Sequence, residues 1–209
     1  MKHTVEEVLQ KGISAHKEGK LLKAERFYQA ILKSQPNHPD ANHNLGLLAL
    51  SSNKFDKALT FFEIAVRANT NSEQFWLSYI DILIKKKQFD NASQALHQVK
   101  KQGKFGEKFN HLEAKKEKGI LELKEISDTK AIDLDPDNYE NYYNLAVTLQ
   151  KLNKLEESKD RYLQAISLKP DLTEAYNNLG NLLHIQNKLK EAEASFKKAI
   201  NLRPSYSEA

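Results

Sequence analysis

The sequence lacks cysteine, long apolar runs and a large excess of charge of either sign. Without cysteine, disulfide bonds and thiolate metal sites are excluded, and a reducing compartment is compatible. The N-terminus has no apolar run long enough for a signal peptide, and no stretch approaches the length of a membrane span. We therefore expect a cytoplasmic protein with no segment in the membrane.

Charged residues are abundant but balanced. The chain has 32 Lys and Arg against 28 Asp and Glu, which gives a formal net charge of +4. The lysines are mixed with glutamates throughout, whereas a nucleic-acid footprint clusters basic residues on one face. This pattern indicates a solvated surface and disfavours a nucleic-acid partner. With 40% hydrophobic residues, the composition is that of a folded helical protein.

A unit of 34 residues recurs along the chain, and its clearest copy is Thr173–Tyr206. That copy carries an aromatic residue, Leu-Gly, Ala, a second aromatic residue, Ala and Pro in a fixed order. The residues are Tyr176, Leu179, Gly180, Leu183, Leu189, Ala192, Phe196, Ala199 and Pro204. Their order and spacing resemble the tetratricopeptide repeat, in which two helices are joined by a turn. The resemblance covers almost the whole chain and implies an all-α, right-handed α-solenoid.

Six copies of the unit succeed one another, and we number the places within each copy from 1. The copies start at Val5, Pro39, Glu73, Phe105, Tyr139 and Thr173. Residues 1–104 therefore form repeats one to three, residues 105–138 a degenerate fourth repeat, and residues 139–206 repeats five and six. Residues 207–209 read as the start of a further repeat.

Small residues mark where the two helices of a repeat should pack closely. Gly180 and Ala192 are such residues in repeat six, and a bulkier side chain there would overpack the contact. Asn187 falls in the turn, where an amide side chain tolerates left-handed geometry. In repeat three, Ile80 replaces the glycine, so we expect this helix pair to lie slightly wider apart.

Repeat four departs from the pattern, and three interpretations of it stay open. Lys124 stands at a small-residue place and Asp128 at the aromatic place, while charges crowd the segment between residues 115 and 130. The segment could be an irregular pair of helices that keeps the array continuous. It could be a hinge, because Gly103, Gly106 and Gly119 weaken helices locally. It could also be a capping or swapping segment.

The last repeat has no polar terminal helix over its apolar face, although repeat arrays normally need such a cap. This absence raises two expectations. The chain is part of a longer protein, or it buries this end against another copy of itself. Self-association through the uncapped C-terminal end is therefore a second predicted contact, besides the binding of a protein or peptide.

No catalytic or metal-binding constellation is present in the sequence. None of the seven histidines is spaced four residues from another on one helix, so no pair has zinc-ligand spacing. The Gly103–Gly106 segment lacks the strand and the Lys-Ser/Thr of a phosphate-binding loop. We predict a non-enzymatic chain without a cofactor or a metal.

The resemblance places the binding surface on the first helix of each repeat, at places 2, 5, 6, 9, 12 and 13, which line the concave groove of tetratricopeptide proteins. These places project away from the packing stripe at 100° per residue. The candidate partner-binding residues are Leu9, Ile13, His43, Asn44, Leu47, Leu77, Tyr143, Asn144, Asn177, Asn178, Asn181 and His184. Leu50 and Ile84 also project to this side.

Two features of this surface have alternative explanations. Place 6 is Asn or Ser in repeats two to six, which resembles the asparagine ladder in the repeat arm of O-linked N-acetylglucosamine transferases and their bacterial relatives. An amide there can donate to and accept from a peptide backbone, but asparagine is also a common polar filler. The aliphatic residues of repeats one to three indicate an apolar contact surface, or they cover one another.

We predict a scaffold that binds an extended or helical segment of a partner protein in its groove. The alternative is the substrate-recognition arm of a larger transferase whose catalytic domain lies outside this chain. A third interpretation, nucleic-acid binding through residues 115–130, predicts salt-sensitive association. A clamp for chaperone C-termini is disfavoured, because no lysine occupies place 2, 5, 6 or 9 of any repeat.

Overall fold

The structure, a computed structural model, describes residues 4–103 and 106–204. Within these residues the chain forms eleven α-helices and no strand. The helices are α1 (Val5–Lys17), α2 (Leu21–Ser34), α3 (Pro39–Ser51), α4 (Phe55–Ala68), α5 (Glu73–Lys85), α6 (Phe89–Lys101), α7 (Glu107–Leu134), α8 (Tyr139–Lys151), α9 (Leu155–Leu168), α10 (Thr173–Ile185) and α11 (Leu189–Leu202). None of the described helices has the length and apolarity to cross a membrane.

The helices belong to two compact units. The N-terminal unit reaches to Glu117 and the C-terminal unit begins at Lys118, so α7 contributes to both. The all-helical repeat fold predicted from the sequence is confirmed: repeats one, two, three, five and six are each a pair of antiparallel helices. Phe105 and the predicted start of a seventh repeat at 207–209 lie outside the described residues.

The same turn joins the two helices of all five pairs. The residue at place 15 has positive φ in each: Gly19 at 75°, Asn53 at 56°, Lys87 at 57°, Asn153 at 61° and Asn187 at 60°. The next residue donates its backbone N–H to the carbonyl oxygen five residues earlier, as Lys20 does to Ala15 at 2.9 Å. This six-to-one bond ends the first helix by a Schellman motif. The left-handed geometry predicted for Asn187 is confirmed.

Close packing of the pairs depends on a small residue that faces an aromatic ring. A Cβ atom added at Gly46 would lie 2.5 Å from the ring of Phe62, and one added at Gly180 would lie 2.6 Å from Phe196. In repeat three the larger side chain is on the first helix instead, because Ile80 stands in place of the glycine and Leu96 in place of the aromatic ring. As predicted, α5 and α6 approach each other less closely than the helices of the other pairs.

Repeat four is one continuous helix, so the irregular pair of helices is the interpretation that the structure contradicts. Gly119 stands at the turn place but lies inside α7. The residues that would face each other across a turn are charged rather than apolar. Lys124 and Asp128 pair with each other along the helix at 2.8 Å, where other repeats place a small residue and a large apolar one. A turn here would create no apolar contact to offset its cost.

The first half of α7 packs on the N-terminal unit. Phe109 and Leu112 are buried in its core beside α5 and α6. Lys116 is buried as well, and its Nζ donates to Ser93 Oγ at 3.1 Å. Most of the remaining residues of this half are polar or charged, so the helix covers the apolar end of repeat three with a polar outer face. This arrangement supports the capping interpretation, whereas the hinge stays a prediction.

Candidate functional site

The predicted groove residues differ widely in exposure. Three of them are buried: Leu9 is 5%, His43 6% and Asn177 3% exposed. Those that are half-buried are Ile13, Asn44, Leu47, Leu77, Tyr143 and Asn178. Those that are exposed are Asn144, Asn181 and His184. The buried members pack against neighbouring repeats and cannot form the outer surface of a binding site.

His43 joins repeats two and three. Its ring lies 5.5 Å from the ring of Phe62 and 4.8 Å from that of Phe75, measured between centroids. Its Nε2 is 3.0 Å from Ser78 Oγ. Burial lowers the pKa of His43 to about 4, and the charge of Asp40 offsets only part of this. The imidazole is therefore neutral at physiological pH and serves the packing.

An equivalent contact joins repeats five and six. Asn178 Nδ2 donates to Tyr143 Oη at 3.0 Å, and the ring of Tyr143 packs on Tyr162 at 6.0 Å between centroids. In both contacts a ring at place 5 meets a polar group at place 6 of the following repeat. The Ser78–His43 pair is thus a packing contact that recurs in the fold rather than a nucleophile with its base.

The place-6 residues do not form one uniform row. Ser78 and Asn178 bond to the preceding repeat. Asn44 donates its Nδ2 to the carbonyl oxygen of Asp40 at 2.9 Å within its own helix. Asn110 and Asn144 are exposed. The place-6 residues therefore do not form an unbroken ladder of amides that could bind a peptide. In the C-terminal unit, the most accessible asparagine at this place is Asn144.

A cleft of about 540 Å³ opens in the N-terminal unit between α3, α5 and the first half of α7. Its apolar lining consists of Leu50, Leu77 and Leu112. Its polar lining consists of Gln74, Ser78, Asp81, Glu107, Lys108 and His111. The residues from α3 and α5 all occupy the groove places that the sequence predicts, namely places 2, 5, 6, 9 and 12.

Ion pairs hold the two walls of this cleft together. Lys108 Nζ lies 3.1 Å from a carboxylate oxygen of Glu73, and Lys115 bonds to Asp81. Lys85 also contacts Asp81, at 2.8 Å. Burial alone would raise the pKa of Asp81, but the hydrogen bonds and charges of these two lysines outweigh burial and lower it. The carboxylate thus stays ionised and is already neutralised by its neighbours.

The α7 wall is the part of the cleft that sequence reasoning missed. Lys108, His111 and Leu112 occupy places 4, 7 and 8, which in the other repeats face the second helix of the same repeat. Here no second helix is present in the repeat, and Phe109 at place 5 is buried together with Leu112. The charged residues at places 11, 20 and 24 were the available signal that this repeat packs differently.

A second feature that sequence reasoning missed is an apolar stripe on the second half of α7. Ile120, Leu123 and Ile126 are 37%, 39% and 51% exposed. At the same three places the other repeats carry polar residues with one exception, Ala194. At the place of Ile120 they are Lys20, Lys54, Gln88, Lys154 and Lys188. At the place of Leu123 they are Lys23, Lys57, Asn91, Glu157 and Glu191, and at the place of Ile126 they are Arg26, Thr60, Gln94 and Asp160. Comparison of equivalent places, rather than of each repeat with its motif, would have found the stripe.

No group of three or more metal-ligating side chains comes together among residues 4–103 and 106–204.

Family models match four segments of the chain, of which the three in the C-terminal half overlap. Models of the tetratricopeptide repeat match residues 15–77, 129–160 and 173–206, and a model described as TPR repeat matches residues 149–186. The chain contains tetratricopeptide repeats. The matched segments include repeats two, five and six in full, and they leave out the first half of α7. The finer resemblance to the repeat arm of O-linked N-acetylglucosamine transferases finds no support in these matches.

Solved tetratricopeptide structures resemble the chain at low identity. YrrB, described as a TPR protein with an unusual peptide-binding site, is 16% identical, with 98% of this chain and 89% of that chain covered and a TM-score of 0.43. MamA from Desulfovibrio magneticus RS-1 is 17% identical, with 99% of each chain covered and a TM-score of 0.42. Another MamA structure is 20% identical, with 100% and 98% covered and a TM-score of 0.42. Similarities this distant do not reach beyond the fold. No curated protein matches the sequence.

Proposed function

We propose that this chain is a protein-interaction scaffold and that the cleft of the N-terminal unit binds a segment of a partner protein. The observation that carries the proposal is the cleft itself, which joins an apolar floor of Leu50, Leu77 and Leu112 to polar walls. Such a mixture suits a segment that inserts an apolar side chain and satisfies its polar groups at the rim. The tetratricopeptide fold, whose members bind proteins or peptides, is consistent with this use.

The polar groups of the cleft indicate how a segment would be held. Gln74 and His111 are exposed on opposite walls, and each can donate and accept hydrogen bonds. Asp81 and Lys108 are engaged in ion pairs across the cleft, so they offer little uncompensated charge to a ligand. We therefore expect a segment with an apolar anchor and few charges, rather than a strongly acidic or basic one.

A nucleic-acid partner receives no support from the side chains of residues 115–130. Lys115 contacts Asp81, Lys124 contacts Asp128, and Lys118 lies 3.9 Å from Glu122. Lysines paired in this way would have to exchange a carboxylate for a phosphate, which reduces the gain from binding. The transferase alternative likewise has no observation in its favour.

Selection from a displayed peptide library tests the proposal. Peptides that bind the wild-type chain are measured again against Gln74→Ala with His111→Ala, which removes one exposed side chain from each wall. The matched control is His97→Ala with Gln98→Ala, which changes the same residue types at exposed positions of α6. We expect the cleft variant to bind about tenfold more weakly, since two hydrogen bonds of about 0.5–1.5 kcal/mol are lost, and the control to bind as wild type. Equal binding by both variants would remove the cleft as the site.

A further inference from the structure

Helix α11 carries an apolar stripe whose central ring, Phe196, lies against α10 at Gly180 and whose two ends are exposed. Leu189 and Ile200 are 57% and 41% exposed, and Phe196 between them is half-buried. At 100° per residue these three side chains lie within about 40° of one another around the helix. They form a straight seam of the kind that packs against another helix.

The place of Leu189 is also exposed in repeats one and two, at Leu21 (43%) and Phe55 (39%), whereas the places of Phe196 and Ile200 are more buried in repeats two and five. In repeat five the three places hold Leu155, Tyr162 and Ile166, where α10 packs against α9 and Tyr162 is fully buried. In repeat two the ring of Phe62 is fully buried in the same way. The C-terminal part of the stripe is therefore a surface that repeats two and five use for packing and that is more exposed in α11.

We propose that this stripe binds the same stripe of a second copy of the chain, with the two α11 helices antiparallel. The charged residues beside the stripe indicate which partner it binds. Glu193 and Lys197 lie along one edge of it, 2.6 Å apart within the helix. An antiparallel pair that sets Leu189 against Ile200 of the second copy also sets Glu193 opposite Lys197 of the second copy. The two-fold axis repeats that contact, so both charged pairs are complementary.

A head-to-tail contact with α1 of another copy fits less well. The first helices α3, α5 and α10 bury apolar residues at places 3 and 10 against the preceding repeat, as α10 does with Ala175 and Leu182. In α1 these places hold Glu7 and Ser14, which are exposed. The Glu7 carboxylate is also engaged in the capping box with Thr4. A second α11 is thus the better match for an apolar seam.

The expected dimer is weak, because a single pair of helices buries less than the roughly 800 Å² per partner of a standard interface. Association should therefore be measured over about 10 µM to 1 mM, where complexes of micromolar affinity form and dissociate. Sedimentation equilibrium of the whole 209-residue chain gives the dissociation constant directly. We expect a reversible monomer–dimer equilibrium.

Two sets of variants test the interface. Leu189→Gln with Ile200→Gln should abolish the dimer, whereas Leu163→Gln with Leu168→Gln should leave it intact. The second pair is a matched control, because Leu163 and Leu168 on α9 are 44% and 41% exposed. Circular dichroism checks that both remain helical. Dimers that survive the α11 change, or dissociate with the α9 change, would overturn the proposal.

Charge reversal separates the contact between copies from the contact within the helix. Glu193→Lys alone and Lys197→Glu alone each place like charges opposite one another in a homodimer, so we expect about tenfold weaker association for each. Mixed in equal amounts, the two variants should form a heterodimer of wild-type strength, since every pair across the interface is again opposite in charge. The pairs within each helix are unchanged by mixing. Failure of the mixture to restore association, or a monomeric wild type at all concentrations, would refute the proposal.

Discussion

Replacing Gly46 by alanine is the sharpest test of how the helix pairs are held together. An added Cβ atom would lie 2.5 and 2.6 Å from two ring carbons of Phe62 and 3.0 Å from a third. These distances are well inside van der Waals contact. Phe62 is fully buried, so its ring cannot move away into solvent. Either α3 and α4 must separate or the ring must leave its preferred rotamer.

The expected cost is the balance of two opposing effects. Overpacking of this kind costs about 1–3 kcal/mol, while alanine is favoured over glycine inside a helix by about 0.5–1 kcal/mol. We therefore expect Gly46→Ala to lower the free energy of unfolding by about 1–2 kcal/mol. Gly180→Ala meets Phe196 at a similar distance, but that ring is only half-buried and can shift. Its change should be close to zero.

Urea unfolding monitored by two signals measures these changes. Trp76 is the only tryptophan and is buried in the N-terminal unit, so its fluorescence reports the unit that contains Gly46. Far-ultraviolet circular dichroism, recorded in dilute solution, measures the change in stability caused by Gly180→Ala. A second substitution, Phe62→Leu, should recover part of the loss in Gly46→Ala, because repeat three combines Ile80 with Leu96 at the same two places.

A Gly46→Ala variant as stable as the wild type would contradict the steric argument. So would an equal loss of stability in Gly46→Ala and Gly180→Ala, because burial of the facing ring is the feature that distinguishes the two positions.

Two further predictions concern the contacts between repeats. Because the pKa of His43 is lowered to about 4 in the folded chain, the unfolded chain takes up a proton below about pH 6.5 that the folded chain does not bind. Stability is therefore complete above pH 6.5 and should fall by about 2–3 kcal/mol as the pH approaches 4; urea titrations by Trp76 fluorescence should show a flatter pH dependence in His43→Gln. Asn178→Ala removes the bond to Tyr143 and should cost about 1 kcal/mol of stability, whereas exposed Asn144→Ala should cost almost nothing, as thermal melts would show. Identical melting of the two variants would argue that the bond contributes nothing.

The repeat pattern predicts most of the fold because the fold is built from local contacts that recur. The helix pairs, the turn at Asn187, the small residues facing rings and the wider spacing at Ile80 are all determined by residues within one repeat. The five residues of α3 and α5 that line the cleft stand at groove places, and the use of those places for binding stays a prediction. Each of these features depends on side chains no more than one repeat apart.

The contacts that sequence reasoning missed depend on which neighbour a side chain finds. His43 and Asn178 both occupy groove places, but each bonds to an adjacent repeat, and Asn177 is buried altogether. A period of 34 residues fixes the direction in which a side chain projects. It does not fix whether the next repeat supplies a ring, a hydroxyl group or nothing at that place, which is why part of the predicted surface proved to be packing.

Repeat four shows that the turn is a product of packing rather than of its own residue. Lys87 adopts the left-handed conformation in repeat three with φ of 57°, although the conformation is unfavourable for a residue with a Cβ atom. Gly119 stands at the same place, could adopt that conformation freely, and is helical. The difference lies in the residues beyond the turn place: Ala92 and Leu96 are buried by the turn at Lys87, whereas Lys124 and Asp128 would have to be desolvated by a turn at Gly119. A glycine at the turn place permits the helix pair, and the apolar residues beyond it decide whether the pair forms.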